Sequence, residues 1–148
     1  MSDHRSSTTV PDSYFTRGVS HEPSSDAPAF PAGWASRSTL PVFDAASGIT
    51  MQSFSGGALM ANWVTIAPDQ AIPTHQHPHE QIGVIQEGGM ELTIGDETRT
   101  LLPGDAYSVP PNLPHGGRAT SAGCVVLDVF TPIREDYAAL ARVAVAGQ

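Results

Sequence analysis

Glycine and proline interrupt this chain so regularly that long helices have little room in it. Fourteen glycines and thirteen prolines are spread through 148 residues, many of them between short β-type runs. Glycine frees the backbone for tight turns, and proline removes a donor and fixes φ. The pattern predicts many turns and an all-β barrel or sandwich. Strand candidates are 39–43, 49–55 and 59–67, the second and third joined at Gly56-Gly57. In 59–67 neither alternating face is very polar, which suits a strand covered on both sides. Pro68-Asp69-Gln70 turns the chain into a histidine-bearing strand. A hairpin follows, with strands 82–86 and 90–94 about Gly88-Gly89, and Gly95-Asp96-Glu97 turns into 98–102. The last strands are 106–109 and 123–130, the latter the most apolar run in the chain. Residues 134–145 read as a short helix, with Asp136, Ala139, Leu140 and Val143 at helical spacing. Nine or ten short strands and a terminal helix fit a jelly roll.

The length suits one domain with a real core. Residues 1–35 are rich in Ser, Pro and Asp and read as an arm, disordered or docked. Tyr14, Phe15, Phe30 and Trp34 are its candidate anchors, on its own barrel or on a neighbouring subunit, while His4 and His21 read as solvated. Residues 36–148 form the domain. A formal charge of −8 disfavours nucleic acid and anionic membranes as partners. No apolar run reaches membrane-spanning length, and the start lacks signal-peptide features. With a single cysteine, Cys124, ruling out an internal disulfide, the cytoplasm is the expected compartment. All seven basic residues are arginine, so lysine Schiff-base chemistry is closed to this chain. A P-loop is absent too.

Histidines are what remain. Three of the six fall within the stretch Thr-His-Gln-His-Pro-His-Glu-Gln-Ile-Gly, residues 74–83. On a strand, His75 and His77 share a face, as two ligands of one metal ion would. Gln81 shares that parity and Glu80 points away; Gly83 would leave room for a small ligand. His79 has ligand parity, but Pro78 turns it aside, and it stays outside the set. Far along the chain, Pro103-Gly104-Asp105 marks a turn. Beyond it, Pro110-Pro111-Asn112-Leu113-Pro114 holds the backbone ahead of His115.

With both pieces in view, the chain resembles the cupins over roughly residues 40–132. Their first motif is Gly-(x)5-His-x-His-(x)3,4-Glu-(x)6-Gly; here Gln81 stands where Glu is usual and Asp69 where the first Gly is usual. A narrower likeness is to the KdgF family, single-domain cupins that open the ring of 4,5-unsaturated monouronates from pectin or alginate. It rests on His-Pro-His-Glu-Gln-Ile-Gly, on Pro-Pro-Asn-x-Pro-His-Gly, and on residues 127–137. The resemblance implies a cupin jelly-roll β-barrel, with His75, His77, Gln81 and His115 holding metal and Asp128, Phe130 and Arg134 serving catalysis. Ile133, where a second Pro is common, and the long N-terminal arm depart from it. Similar tails occur in polyketide cyclases.

Three neutral imidazoles and a neutral amide would leave a divalent ion its full charge, making a strong Lewis acid. Zinc, nickel, iron, manganese and copper all suit such ligands. The missing carboxylate argues for non-redox chemistry over a dioxygenase. Asp128 shares parity with Cys124, Val126 and Phe130; burial would raise its pKa and a nearby cation would lower it. Arg134 suits a substrate carboxylate or pairing with Asp136, Phe130 suits core or pocket wall, and Tyr107 is a candidate second acid. The expected function is isomerase- or lyase-type chemistry on a small anionic, oxygen-rich substrate, with ring opening of unsaturated monouronates leading. Secondary-metabolite cyclisation, ligand sensing and dioxygenation are the rivals. Exposed strand edges point to a homodimer.

Overall fold

The computed structural model describes residues 32–148. Eight strands occur there: β1 (Phe43–Ala46), β2 (Ile49–Ser55), β3 (Met60–Ile66), β4 (Ala71–His75), β5 (Glu80–Ile94), β6 (Glu97–Leu101), β7 (Ala106–Val109) and β8 (His115–Thr131). A 3-10 turn (Arg37–Thr39) precedes them and α1 (Glu135–Ala146) closes the chain. The all-β roll with a short terminal helix is as expected. The arm's Tyr14, Phe15, Phe30, His4 and His21 lie outside the described residues, and Trp34 is 93% exposed, not packed on its own barrel.

Two long antiparallel strands, β5 and β8, form the spine and pair along almost their whole length. The latter half of β8 is flanked by β3 and its first half by β4; β5 is flanked by β7 and then by β6. The sheet continues from β3 to β2 and β1. Gly88-Gly89 is therefore no hairpin turn. It lies within β5, where the register with β8 shifts at 85/87 and again at 88/90. These irregularities let one strand bend from one wall of the roll to the other.

At the crease the backbones almost touch. Gly88 and Gly123 both have positive φ, and a Cβ on Gly88 would lie 2.0 Å from the Gly123 carbonyl oxygen. Gly88→Ala combines an overpacked backbone contact with a disfavoured conformation. It is expected to destabilise the fold by about 2–4 kcal/mol, to be read as a lower thermal or urea midpoint.

Inward residues fill the roll: Met51, Val64, Ile66, Ile85, Met90, Leu92 and Val126 are all buried. Expected strand 39–43 is shifted, because Ser36 accepts amide protons from Thr39 and Leu40 in the 3-10 turn. Gln52 holds that turn by donating to the carbonyls of Arg37 and Leu40. The second face of β3 is not fully covered. Trp63 is half-buried, and through the register it continues an outward row with Leu127, Val84 and Ala106. In α1 the face toward the core is Tyr137, Ala141 and Ala144, not 136/139/140/143; Val143 is 70% exposed. Tyr137 sets that rotation by packing beside Phe130, ring centroids 5.9 Å apart.

Candidate metal centre

His75 and His115 face one another as a cross-strand pair of β4 and β8, with ring centroids 4.3 Å apart. His77 lies beyond the end of β4, in the loop to β5, so strand alternation does not bring it to His75. Its position comes from the proline-rich loop: Asn112, at φ 62°, donates its backbone N–H to the His77 carbonyl at 2.7 Å. The same loop leads directly into His115. One nitrogen from each of His75, His77 and His115 falls within 4.8 Å of the other two. His79, left out of the expected set, does not join them; its carbonyl instead faces Nδ1 of His77 at 3.1 Å.

Hydrogen bonding fixes which nitrogens are available. Nδ1 of His75 lies 2.8 Å from the Pro73 carbonyl and Nδ1 of His115 lies 2.8 Å from that of Leu113. A carbonyl only accepts, so each Nδ1 carries the proton and each Nε2 presents a lone pair. Nε2 of His115 is buried with no hydrogen-bond partner among the described residues. His77 is the sharper case. Burial, helped by Arg134 and His115, pushes its pKa down to about 4, so it is neutral near pH 7 and holds one proton. Yet its two nitrogens face two oxygens, the His79 carbonyl and Oε1 of Gln81, the latter 3.1 Å away. One acceptor therefore meets another without a proton between them. A cation among the three Nε2 atoms and Oε1 satisfies all four, so the residues present fit a divalent transition-metal ion. Burial also lowers the pKa of His115.

Beside these groups lies a cavity of about 290 Å³, lined in part by His75, Gln81, His115, Asp128, Phe130 and Arg134. A larger hollow, about 510 Å³, opens at β6 and β7 and does not touch the histidines. Register explains the cavity's chemistry. Across β7, β5 and β8, Tyr107, Gly83 and Asp128 form one inward row, and Val109, Gln81 and Phe130 form the next. Gly83 does not leave room for a ligand as expected: a Cβ there would sit 2.1 Å from the Tyr107 ring, which fills that space. The Tyr107 hydroxyl reaches across Gly83 and donates to Asp128 Oδ1 at 2.6 Å.

Asp128 is buried, and burial pushes its carboxyl up to about 6, against the pull of Tyr107, Gln81 and Arg134. Its parity with Cys124, Val126 and Phe130 is as expected; all four are buried. Of the two readings of Arg134, the structure shows the pairing with Asp136. Nε and one terminal nitrogen donate to Asp136 at 3.0 and 2.7 Å, while the other terminal nitrogen is buried without a partner among the described residues. The guanidinium stacks over Tyr137, 4.1 Å from the ring centroid, and lies 5.4 Å from that of Phe130. Phe130 is itself 2% exposed and packs edge-on against His77 at 5.7 Å. Sequence reading underrated Tyr107 and missed Tyr137 and the Asn112 tie; of these, only the inward parity of Tyr107 with Val109 is visible in the sequence.

The fold and the converging imidazoles define a class, the small β-rolls with three histidines at one mouth placed so that they could hold a metal ion. A family model for the cupin domain matches residues 62–130. The pectin degradation protein KdgF of Dickeya dadantii is 39% identical over 64 residues, covering 43% of this chain and 58% of that protein. H2HPP isomerase of Bacillus subtilis is 36% identical over 66 residues, covering 43% of this chain but only 28% of that protein. The solved structure of KdgF from Halomonas sp. superposes with a TM-score of 0.69 at 30% identity, covering 72% of this chain and 99% of that one. The chain belongs to the cupin family, as a KdgF-like cupin.

Proposed function

We propose that this chain is a metal-dependent enzyme of isomerase or lyase type acting on a small anionic, oxygen-rich substrate. Ring opening of 4,5-unsaturated monouronates is the leading case. The observation that carries it is the placement of a buried carboxylate, Asp128, and a buried guanidinium nitrogen of Arg134, without a partner among the described residues, in one cavity beside the histidines. The names of the Dickeya and Bacillus relatives, a pectin degradation protein and an isomerase, support this reading, as does the likeness to KdgF from Halomonas sp..

His75, His77, His115 and Gln81 would hold the ion, which when bound supplies Lewis-acid polarisation of a substrate oxygen. Arg134 takes the substrate carboxylate through its spare N–H, with Asp136 and Tyr137 fixing the guanidinium plane. Asp128 accepts the proton of the anomeric hydroxyl as the bond from that carbon to the ring oxygen breaks. The anomeric carbon becomes an aldehyde and the ring oxygen leaves it as an enolate. Asp128 then gives that same proton to the far carbon of the double bond as the enolate becomes a ketone. Atoms and electrons balance with no co-reactant. Phe130 and the apolar wall keep bulk water from the reacting centre. Mixing the metal-loaded protein with an unsaturated monouronate is expected to abolish the ultraviolet absorbance of the conjugated double bond. Unchanged absorbance would remove this substrate and leave the metal site standing.

A second reading, cyclisation of a secondary metabolite, is favoured by the apolar part of the cavity, where Ile49, Met51, Val64, Ile66 and Val126 line the wall. No described helix is long and apolar enough to cross a membrane. We propose the cytoplasm as the compartment, in keeping with the free, buried Cys124 thiol. A second copy of this chain is the proposed partner. Its support is the uncharged outward row Trp63, Leu127, Val84 and Ala106 on a chain of net charge −8, since a face without like charges can meet itself. Light scattering is expected to give twice the mass of one chain, and Val84→Lys to halve it.

A further inference from the structure

We propose that Tyr107 is a positioning residue for the metal centre, one that sets the orientation of the Gln81 amide. This rests on the metal reading above. A phenol has a single O–H to donate, and that of Tyr107 goes to Asp128 at 2.6 Å. Its oxygen is left as an acceptor, and Nε2 of Gln81 faces it at 3.4 Å. An amide so held turns its carbonyl the other way, and Oε1 of Gln81 lies 3.1 Å from Nε2 of His77. The direction of the chain Gln81 to Tyr107 to Asp128 thus decides that an oxygen, and not an NH2 group, points at the histidines.

The alternative orientation has its own attraction. A flipped Gln81 would donate its NH2 to the bare Nε2 of His77, satisfying both groups and capping a ligand nitrogen. Tyr107 and Asp128 hold the amide against that flip. Gly83 belongs to the same device, because any side chain there would occupy the position of the Tyr107 ring. Glutamine at this position needs such a keeper; a carboxylate, with oxygen at both corners, does not.

That contrast supplies the test. The zinc affinity of the metal-free protein is measured by competition with a chromophoric chelator in the parent, Tyr107→Phe, Gln81→Glu and the double variant. Tyr107→Phe is expected to weaken zinc about 10–100-fold, the range seen when a group orienting a ligand is lost. In the Gln81→Glu background the same change is expected to alter affinity by less than about threefold, the scatter of independent sites. Gly83→Ala, which displaces the ring while keeping the hydroxyl, should reproduce the loss, and covers the case in which Tyr107→Phe folds poorly. Circular dichroism confirms folding of each variant. An affinity of Tyr107→Phe within about threefold of the parent, or an equal loss in both backgrounds, overturns the positioning role. A parent that binds no zinc, nickel, iron, manganese or copper overturns the metal reading itself.

Discussion

Adding zinc or nickel to metal-free protein is expected to raise its thermal midpoint by about 5–10 °C once free metal reaches a hundred times its Kd. Ligand present at that ratio stabilises the folded state by about 2.7 kcal/mol, and each kcal/mol moves a chain of this size by roughly 2–4 °C. The gain arises because the metal-free centre carries an unsatisfied arrangement. Nε2 of His115 is buried without a partner among the described residues, and neutral His77 has one proton for the two oxygens that face it. His115→Ala is expected to abolish the shift and weaken metal affinity by more than about 100-fold, beyond what losing an orienting neighbour does. Titration calorimetry would read the affinity. A shift of the same size in His115→Ala would show that metal stabilises the chain from elsewhere.

Replacing Asp128 with Asn is expected to lower kcat by about 10²–10⁴-fold, the usual contribution of a positioned proton carrier, with KM and metal affinity little changed. The substitution suits the purpose because Asn keeps the size and an acceptor oxygen for the Tyr107 hydroxyl. It removes only the capacity to take up a proton. The single-turnover rate of absorbance loss would measure it, alongside a melt to establish that the variant is folded. Undiminished turnover in Asp128→Asn would assign proton transfer to another group. Retained ligand binding with turnover lost would exclude a purely sensing role.

Much of this centre is legible in the sequence, because its parts are chemically distinctive. Histidines spaced by one residue, a glutamine four positions after the second of them, and a histidine behind prolines stand out in any frame. The inward parity of Asp128 and Phe130 follows from alternation along an apolar run. What sequence does not display is how strands meet. Gly88-Gly89 carries the local signature of a turn, and only the close approach of Gly123 from β8 shows it to be a crease inside a longer strand. Gly83 looks like empty space until Tyr107 is seen to arrive from β7, two dozen residues later in the chain. The helix misleads for a similar reason. Leu140 and Val143 are its most apolar side chains at helical spacing, but Tyr137, anchored by Phe130 and Arg134, decides which face turns inward.

The path of β8 has a consequence for what the protein can accommodate. Laid out straight, the fifteen residue steps from His115 to Phe130 would span about 50 Å, yet both rings touch His77, at 4.9 and 5.7 Å between centroids. The strand folds like a pair of callipers about the crease at Gly123, one tip carrying His115 and the other Asp128 and Phe130. The spacing between the two tips therefore depends on the bend at Gly88 and Gly123, which lies in the crease and not among the residues facing the cavity.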